Sequence, residues 1–446
     1  MRVLGVLLLT LSSVTPASSV FVIIPGLIQQ AGTGAFLSLL AAALVALAMA
    51  VVYAELASAF PNAGGEYALI GRSLSPFAGF VMMGMIGLTS SLIPAFLALG
   101  IGPYLAGIWP AVPSVPIAAV ILAAATGFGI LNIRVNAWVT GTFLLVEILA
   151  LLVLTGLGFA HPARSVGDLL HPVMLSGDLL VPTPAALIGL ATAVAVFAYN
   201  GFGAAVYFSE EMHDAPRHVA RTILWALVLT LGFEFVPTTA VLIGAPSLQD
   251  LLASASPFDD FIVATGGHFL GIAVDLGIAL AIVNAVIAAV LVNARLFYAS
   301  GRDRIWPERI NEALTRVHPQ FHSPSIATLA VGAIGVAACF IPFSFLLVLI
   351  GTSVVVIYAL LCLGAIAGRA TGRTAHAAYR MPLFPLPPVM GLLALTYILY
   401  ANAIDPEIGR PSLIATASIL AVASVYCWVM RRRRGADWAP APVPVA

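Results

Sequence analysis

Glu147, Glu234 and Asp275 each fall inside a long apolar run of this chain. An acid in such surroundings is costly to ionise, which makes it a candidate for binding and releasing a proton or for holding a cation. The competing reading is a neutral carboxylic acid hydrogen-bonded between helices, and it stays open for all three. Two other segments place helix-breaking residues in apolar surroundings. In LTLSSVTPASSVFVIIPG (residues 9–26), four serines, a threonine and a proline crowd into residues 12–19. In ATAVAVFAYNGFGAAVYF (residues 191–208), Asn200, Gly201 and Gly203 interrupt the run. Glycine and asparagine weaken a helix, and broken backbone at membrane depth is tolerated only where it faces protein or a watery cavity. Half-helix N-termini there would offer N–H groups to an anion, and unwound carbonyls would face a cation. An ordinary Gly/Ser packing face between helices is the alternative.

The elements that must position these residues follow from composition. Hydrophobic residues make up 61% of the 446 and charged residues 9%, with a mean hydropathy of +1.06. Soluble domains carry about 25% charged residues, so the chain is expected in a bilayer. A hydrocarbon core about 30 Å thick takes about 20 apolar residues per helix. On that measure the sequence divides into about twelve spans: residues 3–28, 35–60, 76–102, 114–131, 137–159, 185–209, 222–244, 268–299, 325–341, 344–367, 383–402 and 411–430. The broken first and sixth spans are then five apart, the signature of a five-plus-five inverted repeat. The repeats would cover about 1–160 and 185–367, with two extra helices in 383–430, all in one transmembrane domain (1–430).

Charge placement fits that division. All 19 basic residues are arginines. With both termini cytoplasmic, all but Arg164, Arg295 and Arg410 fall in inner segments, as the positive-inside rule requires. A signal peptide is the rival reading of the N-terminus, with Arg2, an apolar run and small residues near Ala17. It is disfavoured because apolar character resumes from Val20 to Ile28, and cleavage would strand that half-span. The segment 245–267 is expected to form short outer helices, 302–320 a polar inner loop, and 431–446 a basic, Ala/Pro-rich cytoplasmic tail. Cys339, Cys362 and Cys427 read as buried small hydrophobes, and the eight histidines lie at no ligand spacing.

Three stretches carry a family resemblance. VYAELASAFPNAGGEYALIGRSLSPFAGF (residues 52–80), SEEMHDAPRHVAR (209–221) and NARLFYASGRDRIWPERI (293–310) resemble, in order, motifs of the amino acid–polyamine–organocation transporters. The resemblance implies a leucine-transporter-like, all-α fold with substrate held between broken helices one and six. By position it assigns substrate contacts to Ala17, Ser18, Ser19 and Val20 in the first break, and to Asn200 and Gly201 in the second. It makes Phe197 the aromatic that closes over substrate. The serines depart from the family's more glycine-rich break, and their Cβ atoms narrow the approach. Many members also carry a lysine midway along span five; in VNAWVTGTFLLVEILALLVL (135–154) the matching position is Glu147, which makes it the leading coupling residue, with Glu234 and Asp275 as further candidates. Glu55 and Glu66 read as structural, and Tyr53, Tyr199 and Tyr207 need no special role.

Other classes fit less well. No HExxH, GxSxG or paired-cysteine pattern supports a hydrolase, no acid or soft ligand in SSVTPASS supports a metal carrier, and no filter motif supports a channel. No enzyme activity, cofactor, metal or nucleic-acid partner is expected. The expectation is an inner-membrane secondary transporter of amino acids, neutral ones foremost, proton-coupled or exchanging. A polyamine or other cationic amine permease is the alternative.

Overall fold

The computed structural model describes residues 3–61, 64–106, 113–131, 133–407 and 409–434. Arg2 and most of the expected tail, residues 435–446, lie outside the described residues. The chain is built from long apolar helices rich in Leu, Ala and Val, which satisfy their backbone groups internally as a lipid medium demands. Among the described residues, nine helical stretches are long and apolar enough to cross a membrane. The first, Val3–Ala59, runs for 57 residues through several local breaks and has length for two crossings. Two further apolar helices, Ser114–Gly129 and Ser325–Ala338, have 16 and 14 residues. At 1.5 Å per residue they span about 24 and 21 Å, short of a full hydrocarbon core.

The helix Val3–Val14 packs against four other elements along one side and leaves Leu4 and Leu8 exposed on the other. Those four are Ile133–Ala160, Ala215–Gly244, His268–Arg302 and the stretch Phe202–Glu211. Ala35–Ala59 lies along Ala215–Gly244, and Pro76–Leu99 along His268–Arg302. Outward faces are apolar, with Leu44, Leu47, Leu149, Leu152, Val422 and Trp428 exposed, as suits a protein whose solvent is lipid. The result is a multi-pass, predominantly helical membrane protein.

Two short helices, Leu248–Ala253 and Pro257–Gly266, occupy the segment where short helices are expected. Hydropathy does not disclose the hairpin Val173–Ser176 and Leu179–Pro182, turned at Gly177–Asp178. It seats on the joint between the first two long helices, where the Thr33 hydroxyl accepts from the Val173 N–H at 2.8 Å.

At the opposite face the arginines tie helix ends together. The Arg369 guanidinium donates to both Glu55 oxygens at 2.8 and 2.6 Å, and the same carboxylate accepts the Met381 N–H at 2.8 Å. Glu55 is fully buried, and the paired geometry answers its charge. Arg373 donates to the Leu74 carbonyl at 2.7 Å, and Arg302 to Glu210 at 2.9 Å. The structural reading of Glu55 agrees with this placement.

Candidate functional site

The first break is set by a proline. Pro16 disfavours right-handed helix at the residue before it and brings no N–H of its own. Thr15 does leave the right-handed helix, but it enters the left-handed region, at φ 51° and ψ 68°, which a β-branched residue rarely adopts. A single turn, Pro16–Ser18, follows, then a wide π-turn, Ser19–Ile23, before helix resumes at Ile24–Ala31. The sharp reversal therefore lies two residues ahead of Ala17, where the resemblance begins the break. The second break follows Ala185–Ala198. Its N–H groups at Tyr199 and Asn200 close back on Ala195 and Phe197, Gly201 takes φ 115°, and the chain leaves as the 3-10 stretch Phe202–Glu211.

The two breaks touch. The Ser19 hydroxyl donates to the Ala198 carbonyl at 3.1 Å. Gly201 lies so close to the first helix that a Cβ there would stand 2.9 Å from Val14 Cα, and its φ is one that side chains rarely adopt. Beside this crossing is a cavity of about 140 Å³. A buried water needs only about 10–15 Å³ on this measure, so there is room for a small solute. Ser19, Phe197, Asn200 and Gly201 stand on its wall. Ala17, Ser18 and Val20 do not; they are buried, and the Pro16–Ser18 turn packs toward Ile133–Ala160 and His268–Arg302. Phe197 meets Phe96 edge-on at 5.9 Å, and Phe96 stacks on Phe343 at 4.7 Å, making an aromatic layer at one side. The Tyr358 hydroxyl donates to the Asn200 side-chain oxygen at 2.7 Å.

The three intramembrane acids have different neighbours. Glu147 is fully buried on Ile133–Ala160, and its Oε1 accepts from the Asn284 amide at 2.7 Å. The Ala17 peptide lies beside the same carboxyl, but Oε2 has no hydrogen-bond partner among the described residues. The first break thus borders an acid through Ala17 rather than the cavity. Glu234 is fully buried near Ser19 and Tyr199. The Ser19 hydroxyl points to Ala198 instead, and both Glu234 oxygens lack partners among the described residues. Asp275 lies two turns into His268–Arg302 and faces Asp259 of the short helix Pro257–Gly266, away from the cavity wall.

One acid read from the sequence as structural stands on the cavity wall. Glu66 begins the helix Glu66–Ser73, and its carboxylate accepts from Tyr53 at 3.0 Å and, closely, from Tyr207. Burial pushes its carboxyl above the usual range, and the Tyr207 and Tyr53 hydroxyls offset part of that. Tyr53, Tyr207 and Tyr358 also line the cavity. No sequence signal linked Glu66 to Tyr207, which stand 141 residues apart, or Glu147 to Asn284, 137 apart. Among the described residues no cluster of His, Cys, Asp and Glu could hold a metal ion.

A family model described as amino acid permease matches residues 2–431. An uncharacterized transporter of Mycobacterium tuberculosis is 30% identical over 312 residues, 68% of this chain and 65% of that one. The chain thus spans just under two thirds of that relative's length. A branched-chain amino acid permease of Lactococcus lactis is 25% identical over 426 residues, 88% of this chain and 87% of the relative. A low-affinity putrescine importer of Escherichia coli is 26% identical over 300 residues, 65% of this chain and 63% of the importer. A match across nearly all of its length, in a chain of apolar helices, decides the matter: it belongs to the amino acid permease family, a family of membrane permeases and not of enzymes.

Proposed function

We propose that the protein is a secondary active transporter of amino acids, neutral ones foremost, working by alternating access around the crossing of its two broken helices. The observation that carries this reading is the Ser19–Ala198 contact at the edge of a cavity, where two helices open their backbones beside the same space. The architecture that goes with it is a twelve-span, five-plus-five inverted repeat in one domain, with both termini cytoplasmic, in the cell's inner membrane. The long stretch Val3–Ala59 would cross twice, and the two shorter apolar helices would complete the count. Ser19, Phe197, Asn200 and Gly201 would contact substrate. Ala17, Ser18 and Val20 would shape the break from behind. Glu147 would carry the coupling proton, held by Asn284 and released as the bundle rocks, with Glu234 and Asp275 as further candidates. Where no proton is coupled, the carrier would exchange one amino acid for another.

A second reading has its own support. The Glu66 carboxylate on the cavity wall suits an ammonium group, and one relative is named as a putrescine importer. Uptake of a labelled panel of amino acids and polyamines into proteoliposomes decides between them. Neutral amino acids should compete best, and decarboxylated analogues poorly. If putrescine outcompetes every amino acid, the carrier is an amine permease.

A further inference from the structure

Tyr207 belongs to two cavities at once. It lines the cavity at the crossed breaks and also a second cavity of about 230 Å³, walled by Glu210, Arg295, Tyr298, His322 and Thr328 near the arginine face. Tyr207 is thus a residue that the two walls share. Its seat is built into the chain opposite. Gly65 has φ 62°, and a Cβ on it would overlap the Tyr207 ring. The next residue, Glu66, accepts the Tyr207 hydroxyl and holds Tyr53 on its other oxygen. The residue after that, Tyr67, donates to Asp303 at 2.8 Å. Arg302, beside Asp303, pairs with Glu210 at 2.9 Å, and Glu210 lies three residues beyond Tyr207 on the same stretch. Three segments thus close a ring of polar contacts around one aromatic side chain: residues 65–67, 202–211 and 302–303.

We propose that Tyr207 is the inner gate of the substrate path, seated in the notch at Gly65 and latched by Glu66, and that the second cavity is the chamber into which it opens. The proposal rests on the carrier reading above for what passes through, but the gate itself is defined by two cavities and the residue their walls share. When the hydroxyl leaves Glu66, the ring can swing off Gly65 and join the cavities. The chamber then receives the solute on its way to the arginine face. Residues 65–67 of the sequence acquire a concrete role: a gap, a latch and a tie to the neighbouring helix.

The test needs no substrate. Ser353 lies on the wall of the first cavity, and the three native cysteines are all buried, so a Ser353→Cys reporter reads against a quiet background. A membrane-impermeant, charged thiol reagent is added from the arginine face of oriented vesicles, and the labelling rate is measured. Tyr207→Phe keeps the ring but removes the hydroxyl, and it should raise the rate about tenfold, the scale of one hydrogen bond to a charged group. Tyr207→Ala should raise it further, and Val317→Cys, on the exposed rim of the chamber, should label quickly in every background. Unchanged Ser353→Cys labelling in both Tyr207 variants overturns the gate, as does a Val317→Cys that stays unlabelled. Uptake is scored separately. A protein that opens on Tyr207→Phe yet moves neither amino acids nor amines would refute the carrier reading while supporting the gate.

Discussion

Gly201 offers a quantitative test of the crossed breaks. In Gly201→Ala, the new Cβ would stand 2.9 Å from Val14 Cα and 3.1 Å from Val14 Cγ2. Carbon atoms prefer about 3.5–4.0 Å, so the two backbones must part by about 0.6 Å or more. The residue would also keep φ 115°, a conformation that costs a side chain about 1–3 kcal/mol. If the strain falls on the state in which the breaks touch, that state is depopulated about 5–150-fold. Initial uptake rate in proteoliposomes should fall by about tenfold or more, at one factor of ten per 1.4 kcal/mol, while the protein stays monodisperse in detergent. The obstacle is mainly Val14 backbone, so adding Val14→Ala should leave the defect in place. Wild-type uptake by Gly201→Ala, or full rescue by Val14→Ala, would refute the claim that backbone contact at this crossing matters.

Glu147→Gln mimics the neutral acid and keeps an oxygen for the Asn284 amide. It should exchange substrate normally but fail to accumulate it under a pH gradient; accumulation equal to wild type would relieve Glu147 of the coupling proton. Glu55→Ala strips the partner from the 2.6 Å Arg369 contact at a fully buried position. The guanidinium left behind is only partly buried, so the loss should be less than the about 3–5 kcal/mol of a fully buried pair, and the detergent melting temperature should fall measurably. An unchanged melting temperature would show that the pair is dispensable.

Long helices were legible because a lipid medium leaves one strong signal, uninterrupted apolar length, and the arginines mark one face. The break in the first helix was legible from Ser12–Ser19, but its sharp point was not. Resemblance pointed to Ala17–Ser19, whereas the left-handed residue is Thr15, just before Pro16. Ser114–Gly129 and Ser325–Ala338 came out shorter than their apolar runs, because the flanking turns tighten before the runs end. Four of seven proposed substrate residues reached the cavity wall. A break exposes one side of its turn only, and Ala17, Ser18 and Val20 took the other. Glu66 and its tyrosines escaped notice because each is unremarkable in its own segment. Their meaning comes from packing residues 53, 66 and 207 together, and no local pattern encodes that.

The buried Glu55–Arg369 pair also determines how the helix Phe343–Ala370 can move. Arg369 is clamped near one end by Glu55, which holds Met381 as well, so that end is a pivot. The helix has 28 residues and is about 42 Å long at 1.5 Å per residue. It therefore acts as a lever. A tilt of about 5° at the pivot carries the free end about 4 Å, given that rise per residue. The free end bears Phe343, stacked 4.7 Å from Phe96, which in turn meets Phe197 beside the cavity. A rotation too small to disturb the ion pair is thus large enough to part the aromatic layer at the other end. The Glu55–Arg369 contact would then be the fulcrum for that motion.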